Sequence, residues 1–156
     1  MALKPCDPAE AGDVWLRVIT NKKYWRDDGT IHNGAFAGKG GFAHVDDHPW
    51  THDLSGRLLS LVKDLGKDCI NFCGERYAGV MFQNVETLRS ENSGWPTDVI
   101  YTPLERDPAH ADFVAFNVGN DLDYFQVRDW LQDIIQYVKP EKVEAVEVAL
   151  RAAAAK

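Results

Sequence analysis

Val14-Trp15-Leu16-Arg17-Val18-Ile19-Thr20 is a β-branched and aromatic run bounded by Gly12-Asp13 on one side and Asn21 on the other. Residues of this kind between turn formers favour an extended chain, so the run predicts a strand. It is apolar on both faces except at Arg17, which predicts a central, covered position. Arg17 is the anomaly. A charge inside an apolar strand must be paired or must point into a cleft; Glu86 and Asp112 are candidate partners, and an anionic ligand is the other option.

Working outward, residues 21–50 are rich in turn formers: Asp28-Gly29, Asn33-Gly34 and Gly38-Lys39-Gly40-Gly41 all permit positive φ. A connection of that length exceeds the usual few residues and marks a functional or mobile segment. Beyond it, Leu54, Leu58, Leu61, Leu65, Cys69 and Phe72 recur in steps of three and four. That period predicts one helical face, with Thr51 or Asp53 as cap and Gly74 as terminator. Strands follow at 77–83, 98–102 and 111–117, and a short helix is expected over 85–91. Asn120 or Asp121 caps a helix carrying Tyr124, Val127, Leu131, Ile134 and Val138, and Pro140 opens a last one. The order predicts an α+β fold, a small mixed or antiparallel sheet of about four strands with helices packed on one face and a long Gly-rich loop after the first strand. The whole of 1–156 is read as one globular domain, with residues 1–12 and 153–156 as frayed termini.

The 156 residues carry 17 Lys and Arg against 24 Asp and Glu, a net charge of −7. Extended nucleic acid and anionic membranes select for basic surfaces, so neither is an expected partner. The 17 aromatic residues, five of them Trp, exclude a disordered chain. No apolar run approaches the roughly 18 residues of a membrane helix, and the N-terminus lacks the apolar core of a signal peptide. The three cysteines (Cys6, Cys69, Cys73) fit reduced thiols, and the expected location is cytoplasmic. The acidity is uneven: residues 1–40 carry six basic and five acidic side chains, while 104–141 carry three and eight. A single small anion could therefore bind near Arg17, Lys22, Lys23, Arg26 and Lys39 even though a polyanion would be repelled.

Several clusters could carry chemistry. His44, His48 and His52 recur every fourth residue among Asp46, Asp47 and Asp53, the spacing that would align three imidazoles on a helix for a divalent metal. Pro49 breaks that helix, so no metal ligand is assigned and a divalent-metal hydrolase is kept only as a further alternative. The stretch Gly34 to Gly40 departs from a phosphate loop in spacing and lacks the hydroxyl residue, and no other signature points to a cofactor. Cys69 continues the leucine stripe and reads as a buried hydrophobe. His110 stands just before a strand beside Asp107 and Asp112, a place where sites are commonly built. Its bland role is to tie down the 103–108 loop; its chemical role is general acid–base work oriented by either carboxylate. Trp25, Trp50 and Trp95 fall in expected loops, where large aromatics cover a core edge or face a partner.

The segments Tyr24-Trp25-Arg26-Asp27-Asp28-Gly29-Thr30, Ala35-Phe36 and Pro108-Ala109-His110-Ala111-Asp112 together resemble a group of small uncharacterised bacterial proteins with a DDGT…AF…PAHA pattern. The likeness spans roughly residues 14 to 117. In that group serines often precede the Ala-Phe pair, where this chain has His32-Asn33-Gly34. The resemblance implies a bacterial cytoplasmic protein whose Asp27, Asp28, Phe36 and His110 lie in characteristic segments, and it implies no mechanism. The leading expectation is a binding or accessory protein acting through a protein partner or a small anionic ligand, with Trp25, Arg26, Phe36 and Lys39 as ligand-binding candidates. The alternative is an enzyme centred on His110, Arg17 and Asp28, of general acid–base or nucleotide-handling transferase type.

Overall fold

The computed structural model describes residues 3–36, 41–66, 78–92, 94–138 and 152. Its centre is one antiparallel sheet, and the opening run is its middle. Strand β1 (Val14–Val18) lies between β3 (His52–Leu58) and β4 (Val80–Asn84). The full order is β5-β6-β3-β1-β4-β7, with β5 spanning Thr97–Tyr101, β6 His110–Ala115 and β7 Gln136–Val138. A two-residue strand β2 (Ala43–His44) pairs with the first half of β3, and β1 pairs with its second half.

The sheet therefore has seven strands rather than about four, and helices are few. The main correction is β3. The expected helix from Leu54 is a strand as far as Leu58, and the helix α1 covers only Leu59–Asp64. Leu54 and Leu58, four apart, share a face in a helix, but four is also an even step and they share a face in a strand. Asp53, Ser55 and Arg57 alternate with Leu54, Gly56 and Leu58, the period of two that the leucine spacing hid. The later part of that stripe, Cys69 and Phe72, lies outside the described residues, as does the helix expected from Pro140.

Two other α-helices stand among the described residues 3–138, α2 (Val85–Leu88) and α3 (Asp121–Ile134). Asn120 caps α3 by accepting from the Asp123 amide, the role its side chain predicts. The helix stops at Ile134 because Ile135 turns extended, so Val138 falls in β7 and not on the helix. Helices lie on both sheet faces, not one. Val85, Leu88, Val127 and Leu131 pack with Trp15, Leu54, Leu58 and Phe113 on the first face. Leu59 and Val62 of α1 pack with Val14, Leu16, Val80 and Phe82 on the second.

Residues 6–9 run along the sheet edge. The Cys6 and Ala9 amides donate to the carbonyls of Tyr101 and Val99 at 2.7 and 2.8 Å, which covers β5. No helix among the described residues is long and apolar enough to cross a membrane.

One close contact locks the three central strands. The Trp15 indole passes over Gly56 and its Nε1 donates to the Ala111 carbonyl at 3.1 Å, Ala111 being the cross-strand partner of Gly56. A Cβ at position 56 would stand 2.5 Å from Trp15 Nε1 and 2.6 Å from the Leu16 carbonyl oxygen. Only glycine fits there. Replacing Gly56 with Ala should therefore overpack the core and cost about 1–3 kcal/mol of stability, read as a lower urea midpoint.

Candidate functional site

The second face of the sheet is apolar at both ends and polar between them. Val14, Leu16, Val18, Val80 and Phe82 form one apolar cluster, and Trp50, Ile100 and Val114 form another. Between them β3 and β6 place Asp53, Ser55 and Arg57 against Val114, Asp112 and His110 as successive cross-strand pairs. Alternation within each strand puts all of the polar members on the same side.

A cleft of about 670 Å³ opens at this polar end, lined by Arg17, Arg57, Arg106, Asp107 and His110 together with Ser55, Gly56, Val18, Thr20 and Leu104. Arg17 and His110 thus line one cleft although 93 positions separate them along the chain. The β1–β3 ladder ends at Leu16↔Arg57, and just past that point Arg17 Nη1 donates to the Ser55 carbonyl at 2.7 Å. Arg57 is nearly buried and its Nε donates to Asp107 Oδ2 at 2.8 Å. Asp107 belongs to the tight turn Leu104–Asp107, whose two end residues exchange backbone hydrogen bonds. The buried pair therefore anchors the loop that carries Arg106 across β3. The Tyr101 hydroxyl, donating to the Pro108 carbonyl at 3.0 Å, holds the same loop from β5.

His110 is fixed by Thr102. Its Nδ1 lies 2.8 Å from the Thr102 carbonyl and 2.9 Å from the Thr102 hydroxyl oxygen. A carbonyl only accepts, so Nδ1 carries the proton. The Thr102 hydroxyl donates onward to Asp112 Oδ2 at 3.0 Å, and Asp112 Oδ1 stands 3.8 Å from His110 Nε2. One row along, Asp53 accepts from Trp50 Nε1 at 3.1 Å. Burial first, and then the negative charge of Asp112, hold the Asp53 carboxyl above its ordinary range against the opposing pull of Trp50, His48 and His110.

The remaining expected site residues lie elsewhere. Asp28 does not line the cleft. It is fully exposed in its own turn, where it accepts from the Thr30 amide and hydroxyl, and that hydroxyl is the main reason its carboxyl sits below its usual range. Arg26 donates to the Thr30 hydroxyl and the Ile31 carbonyl within that turn. Phe36 is wholly buried in the core. Trp25 is half-buried, with Nε1 donating to the Ala78 carbonyl and its ring edge-on to Tyr137 at 6.0 Å. Lys39 lies outside the described residues. The tryptophans form no exposed patch: Trp15 and Trp50 are buried and Trp95 packs against Trp130 at 5.9 Å.

The chain matches no protein-family model, no curated protein and no solved structure.

The three histidines do not converge. His44 and His52 face each other across β2 and β3 with rings 5.4 Å apart, beside a second cavity of about 570 Å³ under Tyr124 and Phe42. His48 sits in the loop between them, stacked on Trp50 at 4.6 Å. Pro49 precedes that turn back into β3, so the regular spacing becomes a hairpin and no helical row forms. Among the described residues no group of three or more His, Cys, Asp or Glu is arranged to hold a metal ion. Burial, and secondarily His44, lower the affinity of His52 for a proton.

Sequence reasoning overlooked Arg57, Asp53 and Arg106. The first two were absorbed into the supposed helix and its cap, and the alternation across 53–58 was the signal that could have found them. Arg106 carries no local signal, because its place over the cleft follows from the Arg57–Asp107 pair.

Two substitutions probe this face. Replacing Arg57 with Met would leave Asp107 buried without its ion-pair partner and should cost about 3–5 kcal/mol in urea unfolding. Asp53 works with the opposite sign. A carboxyl whose folded pKa is raised favours the fold below its unfolded value and loses that contribution as pH rises through the folded one. Asp53→Asn should therefore raise the melting temperature at pH 7, with the gain vanishing near pH 3, where the carboxyl is protonated in both states.

Proposed function

We propose that this protein binds a small anionic ligand, a phosphate- or carboxylate-bearing molecule, in the cleft between β1, β3 and the 102–110 loop. The observation that carries this reading is the gathering of Arg17, Arg57 and Arg106 with His110 around one cleft, with Asp107 the single carboxylate among its described lining residues. Guanidinium groups are planar forks that match the paired oxygens of carboxylate and phosphate, and they keep their charge at any physiological pH. Arg17 is held by the Ser55 carbonyl and Arg57 by Asp107, so these charges are positioned before any ligand arrives. Pre-organisation of this kind lowers the entropy lost on binding.

The overall charge of −7 sets the size of the ligand. A chain of this net charge repels a long polyanion, whereas a compact anion need engage only the cleft. The tryptophans are spent on internal hydrogen bonds and ring contacts, so the same reading favours a small ligand over a protein partner.

Thermal denaturation with inorganic phosphate, malonate or chloride at fixed ionic strength tests this. A ligand bound only by the folded state stabilises it, by about 2.7 kcal/mol at one hundred times its Kd. Phosphate or malonate should raise the midpoint where chloride does not, and Arg106→Ala and Arg17→Ala should each weaken the effect by about tenfold in Kd or more. Equal midpoints in all three salts would refute the proposal.

A further inference from the structure

We infer that the β2–β3 hairpin is an acid-operated latch, in which uptake of a proton at His52 releases β2 and, with it, Phe42 from the core beside α3. The device lies on the opposite face of the sheet from the arginine-lined cleft and does not depend on what that cleft binds.

The first argument is the setting of His52. Alternation along β3 places its imidazole on the same face as Leu54 and Leu58, against the rings of Phe42 at 5.5 Å and Tyr124 at 5.6 Å. The residue is only 8% exposed, and its Nδ1 is buried with no hydrogen-bond partner. A neutral ring tolerates that position, because Nδ1 can present a lone pair there and keep the ring proton on Nε2. An imidazolium has a proton on both nitrogens, so Nδ1–H becomes a buried, charged donor without an acceptor.

None of the described groups facing this imidazole forms an ion pair with it. His44, its cross-strand partner on β2, stands edge-on with ring centres 5.4 Å apart and is itself a base. Tyr124 reaches over from α3, but its hydroxyl donates to the Phe42 carbonyl at 2.9 Å. The adjoining cavity is lined by Gly119, Asn120 and Asp121 at the start of α3, where the helix presents its positive end. Of the carboxylates nearby, Asp46 lies 3.7 Å from His44 Nδ1, Asp123 accepts from the Gly119 amide, and Asp121 is exposed to screening water. Burial, and then the neighbouring His44, accordingly make His52 a weaker base than an ordinary imidazole.

The second argument is which part gives way. β6 pairs with β3 along all six residues from His52 to Arg57, so β3 itself is firmly held. β2 has two residues, paired as Ala43↔Asp53 and His44↔His52, and the Val45 amide adds one bond to the Thr51 carbonyl at 3.0 Å. A short ladder of this kind opens locally at far lower cost than the central strands. Detaching it separates the two imidazoles and lets water reach the ring that Phe42 and His44 cover. Phe42 immediately precedes β2 and is wholly buried, stacked on Tyr124 at 5.5 Å and near Phe113 at 5.9 Å. Its withdrawal uncovers an apolar recess beside α3. The closed form holds the proton less well than the open one, so closure is complete above the ordinary value of 6.5 and weakens as pH falls below it.

The test is amide hydrogen exchange on the whole chain at pH 7.5 and 5.0, with each rate corrected for its intrinsic pH dependence. The reporters are the amides of Val45 and Phe42, the latter bound to the Phe36 carbonyl at 2.9 Å. The controls are the amides of Ile19 and Leu58, bound to the carbonyls of Gly79 and Ala109. Reporter protection should fall by about tenfold at the lower pH for each unit separating the closed and open pKa values, while the controls keep theirs. His52→Gln should abolish the pH dependence, and His44→Ala, at an exposed position, should reduce it. Should His52→Gln not fold, the NMR titration of the His52 ring in the wild-type chain decides, since its midpoint must coincide with the loss of Val45 protection. Reporter protection that is unchanged with pH, that falls equally in His52→Gln, or whose loss does not track the ring titration would overturn the inference. Loss at reporters and controls together would mean acid unfolding of the whole sheet and would overturn it too.

Discussion

The Trp15 indole lying across Gly56 to reach the Ala111 carbonyl is the contact on which the rest of the architecture depends. It spans three adjacent strands, β1, β3 and β6, and satisfies a buried N–H that would otherwise cost folding energy. The ring also meets Phe113 at 6.3 Å, which in turn packs on Phe42 and Trp130. A bulky ring, a residue with no side chain and a carbonyl one strand further on form one unit, so the relative heights of the three strands are set together. Displacing any one of them would leave a void or an overlap in a close-packed interior.

That first-face lock has a consequence on the second face. Once β3 and β6 are held in register, Arg57 stands opposite His110 and Ser55 opposite Asp112. The polar stripe is a product of the same ladder that builds the core, because alternate side chains of one strand serve opposite faces. Two apolar clusters flank the stripe and limit water on either side of it. Within it the Arg57–Asp107 pair is nearly buried, so it pins the 103–109 loop firmly in place of a weak surface contact. The charged groups of the cleft are thus held by backbone register and by one buried ion pair, the kind of rigid support that a binding or catalytic constellation needs.

Much of the fold was legible in particular residues. Val14 to Val18 announced a central strand, the 98–102 and 111–117 runs announced two more strands, and Asn120 announced the start of α3. Strand β3 was misread because its apolar residues are spaced by an even number that both periods share, and Gly56 removed one apolar marker from the alternating row. The short strands β2 and β7, two and three residues long, are too brief to carry any period and exist because a neighbouring strand offers them partners. Of the candidate site, Arg17 and His110 stood out locally, one as a charge in an apolar run and the other as an imidazole at a strand mouth. Asp28, Arg26, Trp25 and Phe36 stood out for local reasons too, and those reasons proved local: a turn that closes on itself, an indole bonded to a neighbouring backbone and a ring in the core.

What the amino-acid sequence by itself determined here is the set of pieces: which runs are extended, where α3 begins, that the chain is acidic and aromatic-rich, and that Arg17 and His110 needed an explanation. Those follow from forces acting within a few residues, namely side-chain period, capping and turn chemistry. Only the tertiary structure decided that Arg17, Arg57, Arg106 and His110 share one cleft and that the three regularly spaced histidines do not meet. Both outcomes depend on strand register across long separations. Register is set by how a tryptophan, a glycine and a carbonyl fit together in the core, and no local period encodes that.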